Sequence, residues 1–447
     1  MLTLEELAAD VASGAVDTVL LVMTDMQGRL MGKRLHAPFF MSDVASHGAE
    51  GCYYLLTVDV DMATVQGFAM GSWDTGYGDF VFKPDMATLR RLPWLERTVL
   101  VVADLEWQDG RPVAASPRQI LRRQLDRLAE RGWTANIGSE LEFLLFRNSY
   151  DEARAKHYRD LTPGNPYNVD YSIFGTTVVE DVLRPIRLGM AAAGIPVEDS
   201  KGECNFGQHE VNFRYADALA MADNHSIYKN GAKEIAWQHG AALSFIAKYN
   251  EREGNSCHIH CSLWDERGSL FTDDGGQMTG LFRHFIAGQI AAGRELAYFT
   301  APNVNSYKRY AAGSFAPTTL VWDTDNRTCA LRVVGHGQGM RLENRSPGAD
   351  CNPYLAFAAI IAAGLHGIDN ELELEPAYGG NAYDAVDKPR LPGSLHEAIA
   401  LLEGSAMARA AFGDDVVDHY LHYGRTELAA FEAAVTDWEL VRGFERM

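Results

Sequence analysis

The feature that most constrains the fold of this chain is the stretch GSELEFLLF at residues 138–146. It predicts a β-strand, because its residues are aromatic and aliphatic and every second side chain of a strand points to the same face. Leu141, Phe143 and Leu145 would then face a core, while Glu140 and Glu142 would lie side by side on the other face. Two such carboxylates repel each other unless a cation lies between them. Taken alone, the stretch also fits a strand with a solvated edge.

Two further stretches carry the same pattern of polar side chains on one strand face. They are CHIHCSL at residues 257–263 and RLENR at residues 341–345. The residues that would share a face are His258, His260 and Ser262 in the first stretch, and Arg341, Glu343 and Arg345 in the second.

A fourth stretch, ECNFGQHE at residues 203–210, adds Glu203 and Glu210. Seven positions separate them, so on a straight strand they would face oppositely, but Gly207 allows a bulge or turn that brings both to one side. His209 should then lie on the face opposite Glu210, in solvent. Grouped carboxylates and a histidine suit Mg²⁺ or Mn²⁺, and nearby arginines suit phosphate or carboxylate groups.

Length and charge narrow the class of protein. A chain of 447 residues predicts two or more structural domains. Its net charge of −20 argues against a nucleic-acid partner or an anionic membrane surface, and no apolar run is long enough to predict a membrane span. The acidic, amphipathic N-terminus does not predict a signal peptide, so we expect a cytoplasmic protein with six reduced cysteines. Cys257 and Cys261 flank His258 but would face away from it, which disfavours a zinc site.

The order of predicted elements divides the chain near residue 111. The first part is sheet-rich, with a capped helix at residues 3–14 and strands at residues 17–26, 29–36, 53–61 and 99–107. Ser116 and Pro117 then begin a helix that runs to about Arg131. From there polar-striped strands alternate with helices, which the sequence predicts at residues 178–193, 217–248, 278–298, 353–370, 394–402 and 426–444.

Placed in order, these motifs resemble the glutamine synthetase family over nearly the whole chain. The residues that carry the resemblance are Glu140-Leu-Glu142-Phe143, Gly207-Gln-His-Glu210, His258-Ile-His260-Cys-Ser262-Leu263, Asn305-Ser-Tyr-Lys-Arg309, Asn326-Arg327, Arg341-Leu-Glu343-Asn-Arg345 and Asn352-Pro-Tyr-Leu355. In addition, TDMQGRLMGKR at residues 24–34 resembles the subgroup that joins glutamate to organic amines.

The resemblance implies both a fold and a reaction. The fold is α+β, with a small β-grasp-like N-terminal domain (residues 1–111) and a catalytic domain (residues 112–447) whose curved antiparallel sheet forms a funnel backed by helices. The reaction is an ATP-dependent ligation in which glutamate becomes γ-glutamyl phosphate and an amine displaces the phosphate. Two divalent metal ions, Mg²⁺ or Mn²⁺, would assist, and the active sites would lie between subunits of a ring, usually a dodecamer of two hexamers.

The resemblance also implies roles for individual residues. One metal would bind Glu142, Glu203 and Glu210, and the other Glu140, His258 and Glu343. Arg309 and Arg345 match residues that bind the glutamate carboxylates and the transferring phosphate, and Gly254 matches a backbone contact to glutamate. Arg327 and Arg332 match phosphate-binding arginines, while His260, Ser262 and Arg341 match nucleotide contacts. Asp59 lies near where a neighbouring subunit supplies the acid that deprotonates the amine, with Asp61 beside it. Tyr383 falls where some bacterial members are adenylylated, but its flanking residues differ and favour a plain loop tyrosine.

Two departures from the family pattern bear on the acceptor. The usual Asn-Gly-Ser-Gly is here Glu253-Gly254-Asn255-Ser256, so we do not expect the family's asparagine contact to glutamate. Phe315 stands where glutamine synthetases carry a glutamate of the ammonium pocket. We therefore expect a small organic amine as acceptor, with ethanolamine as the best single choice. The alternatives are a glutamine synthetase that uses ammonia and a non-catalytic relative.

Overall fold

A computed structural model describes all residues from 1 to 447 and contains two β-sheets with helices packed around them. The first sheet has the order β2-β1-β6-β4-β3, with β5 paired to β6, and β1 and β6 run parallel. The helices and strands of this part of the chain are α1 (Leu4–Ser13), β1 (Thr18–Thr24), β2 (Leu30–His36), α2 (Ala37–Phe39), α3 (Ala45–His47), β3 (Ala49–Cys52), β4 (Asp79–Pro84), β5 (Arg90–Arg91) and β6 (Thr98–Glu106). Thr3 caps α1 in the predicted capping box.

The strand predicted at residues 53–61 is wrong. The chain pairs earlier, in β3, and then turns through a 3₁₀ helix at Tyr53–Leu56. The Tyr53 ring packs 5.8 Å from the ring of Trp107 and 6.0 Å from that of Tyr77. Aromatic residues suggested a strand, but here they form a surface cluster, because β-propensity reflects packing more than backbone preference.

The second, larger sheet holds ten strands in the order β14-β15-β16-β12-β7-β9-β8, with β10 and β11 on β7 and β13 on β12. All of its pairings are antiparallel except that of β14 with β15. The strands are β7 (Thr134–Phe146), β8 (Val197–Gly202), β9 (Gln208–Phe213), β10 (Ala216–Asp217), β11 (Ala242–Ser244), β12 (Cys257–Asp265), β13 (Gly268–Ser269), β14 (Trp322–Thr324), β15 (Leu331–Val334) and β16 (Arg341–Asn344). The sequence therefore placed β7 correctly, and the predicted sheet backed by helices is confirmed.

Twelve helices lie in the same part of the chain as this sheet. They are α4 (Pro117–Ala129), α5 (Tyr150–Ala155), α6 (Ile173–Thr177), α7 (Glu180–Ala192), α8 (Ala218–Gln238), α9 (Gly280–Ala292), α10 (Ala297–Thr300), α11 (Pro353–Asp369), α12 (Leu395–Glu403), α13 (Ala406–Phe412), α14 (Asp414–Ala433) and α15 (Asp437–Gly443). The central helix α11 is buried along almost its whole length. Gly288 of α9 has no Cβ, and one built there would meet the Ala363 carbonyl oxygen at 2.1 Å, so this glycine lets α9 and α11 approach closely.

Two predicted helices have different bounds in the structure. The helix expected at residues 217–248 stops at Gln238, because Gly240 takes a φ of +68° and the apolar residues that follow pair with β7 as β11. The helix expected at residues 426–444 begins at Asp414 and is broken at Ala434 into α14 and α15. None of the helices is both long and apolar enough to cross a membrane.

An ionic network joins the two sheets. The Arg118 side chain is only 3% exposed and pairs with Asp85 at 2.8 Å, Asp104 at 2.6 Å and Asp223 at 2.9 Å. Asp104 belongs to the first sheet and Asp85 follows β4, while Asp223 lies in α8. A buried arginine needs such partners, so this contact fixes the N-terminal sheet against the helices of the larger one.

Candidate active site

The register of the large sheet brings the predicted polar faces together. Glu140 of β7 lies opposite His258 of β12, and Glu142 lies opposite Glu210 of β9. On the other side of β12, His260 lies opposite Glu343 of β16. The core-facing partners Leu141, Phe143 and Leu145 are buried, as the alternation predicts. The cluster is therefore a consequence of strand pairing between segments that are far apart in the chain.

The turn expected at Gly207 is present. Gly207 takes a φ of +72°, and a Cβ there would meet the Leu145 carbonyl oxygen at 2.6 Å. The backbone N–H of Glu203 donates to the Gln208 carbonyl oxygen at 2.9 Å across this turn. Glu203 and Glu210 consequently lie on the same side of the sheet.

One group of three possible metal ligands consists of Glu140, His258 and Glu343. His258 Nδ1 lies 3.2 Å from Glu140 Oε2 and 3.6 Å from Glu343 Oε1. Burial opposes the charge of Glu140, but hydrogen bonds with His258 and His260 outweigh it and hold the pKa of Glu140 below its usual range. His258 Nε2 is buried without a hydrogen-bond partner.

A second group consists of Glu142, Glu210 and, again, His258. Burial, followed by repulsion from Glu203, raises the pKa of Glu142 to about 8. Burial and the nearby carboxylates also raise the pKa of Glu210 well above its usual range. Burial is the main cause of both shifts, and repulsion between the grouped carboxylates adds to it.

These donors fit a divalent cation. The residues offer carboxylate oxygens and one imidazole nitrogen, the ligands that suit Mg²⁺ and Mn²⁺. The unpartnered His258 Nε2 is the kind of buried atom that a ligand or ion normally satisfies. A cation would also relieve the crowding of Glu142 and Glu210. The donor set is thus consistent with the predicted metal sites.

Glu203 differs from its expected position among these ligands. Its carboxylate contacts the ammonium of Lys201, and it groups with Asp170 and Cys204 rather than directly with Glu142 and Glu210. Burial opposes the charge of Lys201, but attraction by Glu203 and Glu210 outweighs it and raises the pKa of Lys201. In this structure Lys201 therefore neutralises Glu203, a carboxylate that the resemblance assigns to a metal.

Two cavities border the cluster. The first, of about 240 Å³, is lined by 15 residues that include Glu142, Gly254, His258, Arg327 and Arg345. The second, of about 540 Å³, is lined by Glu140 and by the expected nucleotide contacts His260, Ser262 and Arg341. Glu140 lines the second cavity, His258 lines the first, and their side chains contact each other. We name the cavities after the groups that the resemblance leads us to expect in them: the first is the substrate cavity and the second the nucleotide cavity.

The nucleotide cavity is built on β12 and β16. Arg341 Nε lies 3.1 Å from His260 Nδ1, and His260 Nε2 lies 2.8 Å from Glu140 Oε1. Ser262 accepts a hydrogen bond from Trp264 Nε1 at 2.8 Å. Arg341, His260 and Glu140 thus form a connected polar wall that ends at the metal-ligand candidates, with Ser262 farther along β12.

The predicted arginines occupy different depths. Arg345 donates to Glu343 at 2.6 Å and Arg332 donates to it at 3.0 Å, so both brace this buried carboxylate. Arg327 is exposed and lines the substrate cavity. Arg309 does not line it; the side chain is buried behind Ser256, to whose Oγ it donates at 3.1 Å. Gly254 separates Arg309 from the cavity, since a Cβ at that position would meet Arg309 Cγ at 2.8 Å.

Phe315 lies at the edge of the substrate cavity, where the sequence analysis expects the acceptor. The residue is 53% exposed and has a φ of +57°, unusual for a residue with a large side chain. Its carbonyl oxygen accepts from Arg345 Nη2 at 3.3 Å, and the next carbonyl, of Ala316, accepts from the Tyr383 hydroxyl at 3.1 Å. The Tyr383 hydroxyl thus already has a partner within the chain.

Asp59 is not brought to this site by its own chain, since it lines neither cavity. Its Oδ1 accepts from the backbone N–H groups of Asp61 at 2.9 Å and of Ala63 at 2.8 Å. A catalytic role for Asp59 would therefore require a second subunit.

The expectation that His209 is solvated is wrong. It does point away from Glu210, but it is fully buried, and its Nε2 lies 2.9 Å from Asn165 Oδ1. The ring packs 6.2 Å from that of Phe143. A segment distant in sequence covers this face of the sheet, which strand alternation alone does not show.

Sequence reasoning gave no role to several residues that shape the site. Gln208 Nε2 donates to Glu142 at 2.9 Å and to the Gly254 carbonyl oxygen at 2.9 Å, which fixes the Glu142 carboxylate. The place of Gln208 in the motif Gly207-Gln-His-Glu210 is the sequence signal that could have identified it. Lys201 and Asp170 also line the substrate cavity, and no pattern in their surrounding sequence marks them.

The chain is similar to several known proteins. The sequence profile of the glutamine synthetase catalytic domain matches residues 114–442. The chain is 60% identical to γ-glutamylethanolamide synthetase of Streptomyces coelicolor over 446 residues, covering 100% of this chain and 96% of that protein. It is 36% identical to glutamate–isopropylamine ligase of a Pseudomonas species, covering 96% and 95% of the two chains.

Among solved structures, ligand-free GmaS superposes with a TM-score of 0.85 at 28% identity, covering 98% of this chain and 99% of that one. The matches extend through both sheets, and the profile spans the strands that carry the acidic cluster. The chain belongs to the glutamine synthetase family.

Proposed function

We propose that this chain is an ATP-dependent ligase that joins the γ-carboxylate of L-glutamate to a small organic amine, with ethanolamine as the preferred acceptor. The observation that carries the proposal is the chemistry of the substrate cavity, where arginines and metal-ligand candidates adjoin the apolar ring of Phe315. The two curated relatives described above are named for amide formation with ethanolamine and for ligation of isopropylamine.

The chain's own residues account for the activation of glutamate. Arg345 and Arg327 supply positive charge beside the position of a transferring phosphate, and Gly254 offers a backbone contact at the cavity wall. Glu140, His258 and Glu343 would hold one divalent ion, and Glu142 and Glu210 the other. Glu203, which pairs with Lys201 in this structure, would join the second ion only by turning away from the lysine. Bound Mg²⁺ or Mn²⁺ would neutralise and orient the phosphate oxygens, which is most of what phosphoryl transfer requires.

Arg309 supports this arrangement from below. Its guanidinium holds Ser256 and the Ser346 backbone, and the backbone N–H of Ser256 in turn donates to Glu142 at 2.7 Å. In the proposed mechanism Arg309 therefore positions Ser256 and Glu142, which line the cavity around glutamate. Arg309 itself would contact glutamate only if these residues moved. His260, Ser262 and Arg341 would hold the nucleotide. Arg332, which donates to Glu343, would bind the phosphates of the nucleotide.

The edge of the cavity argues for an organic acceptor. A phenyl ring cannot stabilise an ammonium ion as a carboxylate does, and cation–π attraction is weaker. Burying carbon atoms of an acceptor against Phe315 would contribute roughly 25 cal/mol per Å². Phe315 would not affect the activation of glutamate. It would discriminate between ammonia and an organic amine as the nucleophile.

The domain division at residues 111 and 112, a dodecamer of two hexameric rings and a cytoplasmic location complete the proposal. Sharing of the active site between subunits is the part that Asp59 bears on, because Asp59 lines neither cavity of its own chain. An N-terminal sheet that closes the substrate cavity of a neighbouring copy would bring Asp59 to the acceptor as its base.

The test is glutamate- and ATP-dependent phosphate release with a panel of ammonia, ethanolamine, isopropylamine and polyamines, with the amide product identified by mass. We expect ethanolamine to give the highest kcat/KM and ammonia a low one, and Phe315→Glu to raise ammonia use relative to ethanolamine. Glutamine formed from ammonia as efficiently as any other amide would identify a glutamine synthetase instead. Absence of phosphate release with every acceptor would indicate a non-catalytic relative.

A further inference from the structure

Lys201 is a cation of the substrate cavity that the proposed reaction leaves without a role. It lies in β8, opposite Glu210 of β9. Its ammonium contacts the Glu203 carboxylate, lies 3.6 Å from Asp170 Oδ1, and is 4.6 Å from the centroid of the Tyr171 ring. Two carboxylates and an aromatic face are the groups that typically surround an alkylammonium ion. Lys201 thus fills, from within the chain, a position suited to a cationic ligand.

The charge of the cavity depends on this lysine. The lining contains four carboxylates, which are Glu142, Asp170, Glu203 and Glu253, and three permanent cations, which are Lys201, Arg327 and Arg345. The two arginines stand where glutamate and phosphate are expected. Lys201 is therefore the cation that faces the remaining wall, formed by the loop of Asp170 and Tyr171.

The cavity is also small, at about 240 Å³, and Phe315 bounds it together with Lys201. An acceptor that reaches activated glutamate must place its tail within this space. A tail that carries a second ammonium would then lie close to Lys201, where like charges in a partly buried site repel strongly. A hydroxyl or methyl tail carries no such penalty and can pack against Phe315.

Resting on the proposed ligase function, we propose that Lys201 is a specificity-determining residue that restricts the acceptor to amines with one positive charge. Its ammonium takes the place between Glu203 and Asp170 that the second ammonium of a diamine would otherwise occupy. Rejection by repulsion is a common route to specificity, because it disfavours the wrong ligand without improving contacts to the right one.

The experiment compares two acceptors of equal length, 3-amino-1-propanol and 1,3-diaminopropane, which differ in whether the tail is a hydroxyl or an ammonium. The kcat/KM ratio of diamine to amino alcohol is measured for the wild type, Lys201→Met, Lys201→Arg and the control Lys248→Met. Lys248 is a half-buried lysine that donates to the Arg252 carbonyl and does not line the cavity. We expect the ratio to rise about tenfold or more in Lys201→Met, and to stay near the wild-type value in Lys201→Arg and Lys248→Met.

An unchanged ratio in folded Lys201→Met would overturn the inference and leave the ligase function standing. So would an equal loss with both acceptors, since Lys201 would then only hold Glu203 in place. If neither wild type nor variant used an organic amine, the proposed function and the inference would fail together. Circular dichroism and thermal unfolding establish folding, and Lys201→Gln replaces the methionine variant if that one is unstable.

Discussion

Glu343 is the residue whose replacement tests the acidic cluster most directly. Its side chain is 1% exposed and contacts Arg345 at 2.6 Å, Arg332 at 3.0 Å and His258 at 3.6 Å. Burial opposes the charge, but Arg345 and then the two histidines outweigh it and lower the pKa of Glu343 to about 2. The lowered pKa favours the charged carboxylate, which pairs with two arginines and can bind a metal.

Glu343→Gln keeps the shape of the side chain and removes its charge. We expect phosphate release to fall about 10²–10³-fold, equivalent to about 2.7–4 kcal/mol, as for loss of one preorganised electrostatic group. The change also leaves Arg345 buried without its anion, and breaking a buried pair in this way costs up to about 3–5 kcal/mol of stability. A higher Mg²⁺ requirement should accompany both effects, because one ligand has lost its charge.

Asp325→Asn is the matched control. Asp325 also accepts from Arg332, at 3.1 Å from Nε, but its side chain is 74% exposed. Exposed ion pairs contribute less than about 1 kcal/mol, so we expect less than about a fivefold loss. The assay is phosphate release with glutamate and ethanolamine over a Mg²⁺ titration, together with thermal unfolding. If Glu343→Gln lost no more activity than Asp325→Asn, the assignment of Glu343 to a metal site would be refuted.

Two further predictions follow from other parts of the structure. Burial lowers the pKa of His419 from 6.5 to about 4, so the neutral form is favoured in the folded state. The stability that depends on it should be complete above about pH 6.5 and lost as the pH falls towards 4, by at most about 3 kcal/mol. The free energy of unfolding, measured in urea, should depend less on pH between pH 7 and 5 in His419→Gln than in the exposed control His47→Gln. An equal pH dependence in the two variants would contradict the assignment. Mixing Asp59→Ala chains with Glu343→Ala chains should restore part of the activity if Asp59 serves a neighbouring copy, and no recovery in verified mixed oligomers would count against a shared site.

Local sequence patterns were sufficient for much of the fold. The alternation in residues 138–146 placed Glu140 and Glu142 on one face and Leu141 on the other, because strand geometry fixes which side chains share a face. Capping residues placed the starts of α1 and α4, and the apolar run of α11 marked a core helix. These features depend on neighbours in the sequence, and they agree with the structure.

Other features depended on packing between distant segments. The strand predicted at residues 53–61 failed because Tyr53 packs on Trp107 instead of joining a sheet. The helix predicted to continue beyond Gln238 gave way to β11, since pairing with β7 satisfies that backbone. His209 became buried because the segment around Asn165 covers its face of the sheet.

The sequence by itself determined which residues could bind metal, since carboxylates and histidines at alternating positions define polar strand faces. Only the tertiary structure decided how those faces are shared. Strand register places Glu140 opposite His258, and Glu142 opposite Glu210, while Glu203 turns to Lys201. The physical reason is that alternation is a local property of one strand, whereas register and charge pairing are set by hydrogen bonds and electrostatics between strands that meet only in the folded chain.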